Sequence, residues 1–568
     1  METKTTTCPF CLNGCTSAVV FDGYQYRMEY PADGPVNRGR LCARGNSASV
    51  VIDHPKRLAY PLLDGRPIAW PEAERLVRAW RAAVKPKEVA LVYSRGRGAD
   101  EAGRMFDLAR EIGTDFIVCG HIEPENAFSL KLEGVKDATL AELEAAKAML
   151  LVGDVFNTSP VATGRMLDAR YADRKNRLVV IDSVRTRQSG FAHVFIQVRP
   201  GTEPLALVAL AGLLDGKLKA DVDAMAAAAG VSRGQLAAAA AVLGAGVPGF
   251  VGCAAHFGRV YHPALHSLAA QLVAVKAKMP FTGFRETGLP YGQTGFTELR
   301  QALGQGRVRL LFWTGGLYPY SYAEIFPEAA KAEYRVATSI FIPDPPVPGL
   351  VLPVTAELEK SARAQTYWGP ATREPLAAPL SGSRDSGRVL ELLYAAPAAR
   401  REGERHQDSG TDSRRVAPGA VVAMATKAAG LARGGEGFLL VGEKKAIGLR
   451  GFYDPEDRLS LNPEDAVRLG ADGDSVIRVT SPTGAREFQA LVTEQVPPGV
   501  AMVGTNVHEN RALFPLALDE SSGMTTVTPV NVTVEKLAGA VQPPVVAVPD
   551  SRGGRFFEAA ARSDKTRS

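Results

Sequence analysis

Short apolar runs rich in β-branched residues recur along the first two thirds of the chain. They are Val89-Ala-Leu-Val-Tyr, Ala148-Met-Leu-Leu-Val-Gly, Leu178-Val-Val-Ile-Asp and Val308-Arg-Leu-Leu-Phe-Trp. Between several of them lie stretches with helical spacing of apolar positions, such as Pro71–Ala83 and Glu101–Ile112. Strands alternating with helices predict doubly wound parallel sheets covered on both faces, so residues 56–398 read as an α/β body of two interleaved lobes. Leu205–Leu214 is apolar all round, as a core helix is, and Ala-rich Met225–Ala245 reads as one small-residue helix packed closely on a neighbour.

The texture differs at both ends. Residues 1–55 carry Val19-Val-Phe and the aromatic Tyr24–Tyr30 stretch, which read as small strands around a site. Residues 399–416 hold almost no apolar side chains, and 399–429 is expected to be a linker. From 430 to 540, short strands such as Ser475–Thr480 and Phe488–Thr493 alternate with Gly and Pro turns, predicting an all-β module that closes as a barrel. Residues 541–568 read as a flexible tail.

Composition narrows the classes. A hydrophobic fraction of 46% and a charged fraction of 22% are those of a soluble globular protein. The 66 basic residues are scattered among 61 acidic ones, and aromatics make up only 7%, so a nucleic-acid binder is not expected. No apolar run reaches the roughly 18–20 residues that span a bilayer. The first residues hold neither an apolar signal core nor a twin-arginine pair, so a cytoplasmic location is expected.

Four of the six cysteines fall in the first 42 positions, spaced Cys8-x2-Cys11-x3-Cys15-x26-Cys42. Clustered cysteines in a chain with so few point to metal rather than disulfides. Three thiolates on one tight loop can take three corners of a cubane, and the fourth comes from farther along the chain. A four-cysteine zinc site is the alternative, but zinc modules usually pair two short C-x2-C turns, and the second is missing.

This pattern resembles the molybdopterin (molybdenum or tungsten) oxidoreductases, a family that includes formate dehydrogenases, formylmethanofuran dehydrogenase and the large iron–sulfur subunit of respiratory complex I. Leu41-Cys42-Ala-Arg44-Gly45 and His54-Pro-Lys-Arg57-Leu resemble the close of the family's cluster domain and its "HPxRL" passage. Leu150-Leu-Val-Gly153-Asp154-Val-Phe-Asn157 is similar to its "GxNP" turn, Leu178-Val-Val-Ile-Asp182-Ser-Val-Arg185-Thr to "VIDPRRT", and Val198-Arg-Pro-Gly201-Thr-Glu203 to "LRPGTD". Phe312-Trp-Thr-Gly315 resembles the second sheet's turn, and Val351-Leu-Pro-Val-Thr-Ala-Glu357-Leu-Glu-Lys360-Ser resembles "VLPxxxxxEKxG". Leu461-Asn462-Pro through Gly470, Asp472-Gly-Asp474 and Val496-Pro-Pro-Gly499 resemble the pterin-dinucleotide-binding barrel, of double-psi type.

The resemblance implies a [4Fe–4S] cluster on Cys8, Cys11, Cys15 and Cys42, and a molybdopterin guanine dinucleotide with molybdenum or tungsten. Gly153, Asp154, Asn157, Asp182, Arg185, Gly201, Glu203, Gly315, Asn462, His508 and Asn531 are the implied cofactor contacts. Loops after parallel strands are where an open α/β sheet holds a nucleotide, and an aspartate, an arginine and a bare glycine can meet ribose, phosphate and pyrophosphate there. Arg44 would lie between cluster and pterin. Where family enzymes present a metal ligand, this chain reads Cys119-Gly-His121-Ile-Glu123-Pro124, so Cys119 and His121, together with Arg44, are the catalytic candidates and Glu123 an alternative ligand. Cys119 as a buried small hydrophobe is the bland reading; Cys253 and His256 read as core. The function implied is a formate-dehydrogenase-like oxidoreductase subunit. It would pass electrons between a small substrate and partner subunits through the cluster, the partners expected to be flavin or iron–sulfur proteins. The alternative is a complex-I-like relay or scaffold that keeps the cluster and has lost the pterin.

Overall fold

The structure, a computed structural model, describes residues 3–93, 99–119, 128, 130–285, 295–314, 327–343, 346–394, 415–429, 437–443, 457–505, 508–520, 522 and 524–537. The N-terminal domain is an antiparallel three-stranded sheet of Thr3–Thr7, Thr16–Phe21 and Tyr26–Glu29. The last two strands turn at Asp22-Gly23, where the Asp22 carboxylate accepts from Tyr24 N and Gln25 N (2.9 and 3.0 Å).

Two parallel sheets form the body, one inserted into the other. The outer sheet runs Arg66–Pro67, Leu62–Leu63, Leu350–Pro353, Tyr334–Ser339, Leu310–Thr314, Val89–Tyr93 and Phe116–Cys119, with only the first two strands antiparallel to their neighbours. The inserted sheet runs Val194–Gln197, Arg177–Asp182, Ala148–Val152, Gly249–Ala254 and Phe281–Phe284, all parallel. Every residue of Val89–Tyr93, Ala148–Val152 and Leu310–Thr314 is buried, which is why these strands read as continuous apolar runs rather than alternating ones. In the inserted sheet the strand order reverses between Ala148–Val152 and Gly249–Ala254. A crevice opens at such a reversal, beyond the strands' C-terminal ends.

Two regions depart from the sequence reading. Met225–Ala245 is not one helix but two, Val222–Ala229 and Arg233–Leu243, with axes 109° apart. Gly230 caps the first in the left-handed region (φ 76°), and Ser232 opens the second with a capping box to Gln235. The second departure is the end of the expected linker. Arg415–Val416 pairs with Lys131–Leu132, and the helix Pro418–Ala429 sends Val421, Val422 and Ala425 into the core of the inserted lobe beside Leu205–Ala211. The apolar stripe of that helix was hidden behind the charged run that precedes it. Residues 395–414 lie outside the described residues.

The C-terminal module is a closed six-stranded barrel of Phe438–Glu443, Val500–Gly504, Arg458–Leu461, Gly484–Val492, Val476–Ser481 and Val530–Lys536. It is seated on the crevice end of the inserted sheet. Arg185 N donates to Gln495 O (2.7 Å), Ala264 N to the Asp519 carboxylate (2.8 Å), and Gly442 N to Gly258 O (3.3 Å). A Cβ on Gly442 would meet Phe257 O at 2.0 Å, so glycine there is what permits the close approach. Val184 joins Val441, Val496, Val500 and Met502 in a small shared core. Among the described residues no single helix is long and apolar enough to cross a membrane.

Candidate functional site

The cysteine loop is folded tightly on itself. Cys8 N donates to Cys15 O (2.8 Å), and Gly14 takes a positive φ of 74° between them. The hairpin Ala362–Thr366 and Gly369–Arg373 clamps the loop from outside: Tyr367 N donates to Leu12 O (2.7 Å), and a Cβ on Gly14 would strike Thr366 Cγ2 at 2.8 Å. Cys42 arrives at the start of the helix Ala43–Asn46. Cys8 and Cys15 are buried, Cys11 and Cys42 partly so.

The four thiols sense one another. Burial, then Cys15, Cys11 and Cys42, hold the Cys8 thiol well above its usual range. Burial, then Cys11, push Cys15 up to about 12, against the pull of Asn13. The Asn13 amide donates to Cys15 Sγ (3.0 Å). Among the described residues no three His, Cys, Asp or Glu side chains close to the spacing of a single-ion site. The thiols are near enough for their charges to couple without converging on one point.

Arg44 is buried and reaches out of this domain, donating from Nη2 to Thr158 O (3.1 Å) in the inserted lobe. A second tie joins two segments singled out in the sequence. Arg57 of the His-Pro-Lys-Arg passage and Glu359 form a buried ion pair (2.8 Å) that fixes the exit of the cysteine domain to the outer lobe.

The crevice of the inserted sheet gathers Gly153 and Asp154 from one strand end, Asp182 from the next, Gly201 and Glu203 beyond the edge strand, and His256, Arg259 and Tyr261 from the strand across the reversal. Asp154, Asp182, Glu203 and Arg259 are all at most 2% exposed. Arg259 Nη2 binds Asp182 Oδ1, which also accepts from Ser183 N (2.7 Å). Asp154 accepts from the Asn157 backbone (3.2 Å) and side-chain amides, while its own N–H donates to His256 Nε2 (2.9 Å). Gln188 holds the turn, donating to Gly153 O (2.6 Å) and accepting from Val155 N (3.1 Å).

Three carboxylates against one guanidinium leave an excess of buried negative charge. Burial, and then the Asp182 charge, push Asp154 up to about 6. Burial is the first cause for Glu203 as well, which rises to about 7 with a further push from Asp182. Asp182 is itself raised by burial, which outweighs Arg259. Burial works against the Arg259 cation, but Asp182, Asp154 and Glu203 outweigh it and keep it charged.

Other expected contacts are placed differently. Arg185 lies over the Phe195 ring (5.8 Å). Asn462 caps the helix Pro463–Leu469, accepting from Glu464 N and donating to Val496 O, so both ends of its amide serve the barrel. Asn531 faces outward near Gly437 and Phe438, at the end of the barrel away from the Gly442 seat, and lines a surface hollow there. Cys253 is core, its thiol pushed above its usual range by burial. His256, read as core, is buried, and it accepts from Asp154 N beside the crevice. Cys119 closes the strand Phe116–Cys119 and His508 opens the helix His508–Arg511; their side chains, and all of His121, Glu123, Pro124 and Gly315, lie outside the described residues. Sequence reading missed Asn13, Gln188, Arg259 and Tyr261. The one available signal was the polar run His256-Phe-Gly-Arg-Val-Tyr-His directly after an apolar strand.

Residues 1–54 match the model of the molybdopterin oxidoreductase Fe4S4 domain, and residues 444–538 that of the molydopterin dinucleotide binding domain. The chain carries two domains of the molybdopterin oxidoreductases. A formate dehydrogenase alpha subunit of Methanococcus maripaludis is 26% identical over 225 residues, covering 37% of this chain and 32% of that protein. A nitrate reductase of Klebsiella oxytoca is 27% identical over 218 residues, 36% of this chain and 25% of that protein. This chain therefore matches only a third or less of the length of these relatives. The acetylene hydratase of Pelobacter acetylenicus has the same fold (TM-score 0.70, 12% identity, covering 94% of this chain and all of that one).

The Fe4S4 domain fits its cluster on the chemistry of its donors: four thiols near enough for their charges to couple, two of them buried, with an amide N–H aimed at one sulfur. In the inserted lobe the fit to a dinucleotide is poor. Asp182 Oδ1 and both Asp154 oxygens are engaged within the lobe and Gly153 and Gly201 are crowded where a Cβ would stand, while Asp182 Oδ2, Ser183 Oγ, Thr186 Oγ1 and Glu203 Oε2 remain without a partner.

Proposed function

We propose that this chain is the cluster-bearing subunit of a molybdopterin-type, formate-dehydrogenase-like oxidoreductase, moving electrons between a small substrate and a partner subunit. The observation that carries this reading is the set of four neighbouring thiols, two of them buried, in a domain tied to the body through Arg44 and Arg57. A bound cubane supplies one-electron steps. Cys8, Cys11, Cys15 and Cys42 hold it, and Asn13 supplies a hydrogen bond to a ligand sulfur. Arg44 bridges from the helix after Cys42 to the inserted lobe. Cys119 is the candidate thiolate toward a molybdenum or tungsten, with His121 as proton acceptor. An electron-transfer partner that docks on the chain completes the unit.

The engagement of the inserted lobe's crevice favours a second reading, the relay that keeps the cluster and lacks the pterin. Elemental analysis of the purified chain separates the two. About four iron with molybdenum or tungsten, together with formate-dependent reduction of a dye that Cys119→Ala abolishes, supports the enzyme. Iron without either metal selects the relay, and absence of iron refutes both.

A further inference from the structure

A dinucleotide in the crevice of an α/β sheet needs free acceptors for its ribose and base, and bare backbone for its phosphates. The inserted lobe has directed most of both inward. Asp182 Oδ1 is held by Arg259 and Ser183 N, and both Asp154 oxygens are held by Asn157. The glycine faces are covered too. A Cβ on Gly201 would lie 2.1 Å from the Tyr261 ring, and one on Gly153 would lie 2.3 Å from Ala254 O. Both glycines are crowded on the side where a Cβ would stand, and Gly153 N is already engaged with Ile181 O (3.0 Å). Arg185, the cation best placed by sequence to meet phosphate, stacks on Phe195 while its backbone is tied to the barrel at Gln495.

Four side-chain oxygens are left, Asp182 Oδ2, Ser183 Oγ, Thr186 Oγ1 and Glu203 Oε2, all buried and without a hydrogen bond of good geometry, with Ser183 near enough to Glu203 to act on its carboxyl. Glu203 sits close enough to Tyr261 to raise its phenol above the usual range, after burial.

We infer that Arg259 and Tyr261 plug the inserted lobe's crevice, so that this lobe takes no dinucleotide and the chain holds at most one, on its barrel side. The inference rests on the reading above only for the one dinucleotide it allows. Arg259 acts as the built-in counter-cation, with Asp154, Glu203 and the barrel's Glu443 also facing it. Tyr261 acts as the cover.

The test uses the full chain, produced once in a host that makes the pterin dinucleotide and once in a host that cannot. Nucleotide released by acid hydrolysis is counted per chain, and amide hydrogen exchange is compared between the two preparations. One nucleotide or fewer per chain is expected, with exchange in segments 153–158, 199–203 and 256–261 unchanged between preparations. Two nucleotides per chain, or new protection confined to those three segments on loading, would overturn the plug. Zero nucleotides with unchanged exchange supports the plug and removes the pterin from the proposed function, so the two failures are told apart.

Discussion

The cysteine loop and the carboxylate crevice are both buried polar clusters, and they handle their charge in opposite ways. At the cysteines, burial is the largest influence and the neighbouring thiols push the same way, and among the leading influences on Cys8 and Cys15 only hydrogen bonds oppose them. Cys8 and Cys15 hold their protons until something strongly cationic draws them off, which is the chemistry of a thiolate-bound metal centre. In the crevice the protein has placed its own cation. Arg259 lies against Asp182 with Asp154 and Glu203 within reach of its field. A cluster left uncompensated is arranged to receive something, whereas one supplied with its counter-charge is already closed. The four-sulfur site is receptive and the three-carboxylate site is not.

The most severe way to break the contrast is at the receptive end. Cys42→Ser should abolish the cluster, read as loss of iron, of visible absorbance and of the paramagnetic signal of the reduced protein. An iron-replete variant with unchanged spectra would refute the ligand assignment. At the closed end, Arg259→Met should destabilise the chain by about 3–5 kcal/mol at neutral pH, because it strands buried carboxylates without their partner. Denaturant unfolding measures this, and iron content should be retained in the fraction that folds. A cost below about 1 kcal/mol would mean that Arg259 is not the counter-charge.

The unequal legibility of the two clusters follows from how each is assembled. Cys8, Cys11 and Cys15 lie within eight positions, and their spacing alone encodes a loop. The parallel sheets were also legible, since Val89–Tyr93, Ala148–Val152 and Leu310–Thr314 are apolar without a break. The crevice is drawn from segments over a hundred residues apart, and nothing local marks Arg259 as the partner of Asp182. Resemblance found Asp154, Asp182, Gly201 and Glu203 but could not reveal what covers them, because coverage is a tertiary property. The helix Pro418–Ala429 was lost for a related reason. A charged run sets the texture of its neighbourhood, while only a docked surface shows that Val421 and Val422 are inside.

Protonation sharpens the comparison with a smaller effect. Asp154 and Glu203 have folded-state values near 6 and 7, above the ordinary carboxylate range, so the folded chain holds protons that the unfolded chain releases. Their contribution to stability is fully present below about pH 4 and is lost as the pH rises through 6 to 7. A rise of about two units is worth about 3 kcal/mol, and because the groups titrate as a coupled set, that figure applies roughly to the set rather than to each member. Crevice titration should therefore make unfolding harder at pH 5 than at pH 8, and the slope should steepen in Arg259→Met. A slope that survives replacement of both Asp154 and Glu203 by their amides would assign it elsewhere.

The smallest effect should come from Asn13. Its side chain is 1% exposed, its Nδ2 donates to Cys15 Sγ at 3.0 Å, and its Oδ1 has no partner. An orphaned buried carbonyl carries a cost, so packing alone does not explain an amide at this position. Leucine has nearly the same shape and removes the orphaned acceptor together with the donor, so Asn13→Leu should leave folding stability within about 1 kcal/mol of the native chain. It should leave four iron bound, because the thiols are untouched. What it removes is an N–H aimed at a ligand sulfur, and such donors favour the more negative, reduced state of a cluster. The reduction potential should therefore move downward, read by redox titration of the cluster's absorbance, with iron content unchanged. An unchanged potential would make the Asn13 contact structural, and an upward shift would reverse the sign of the argument.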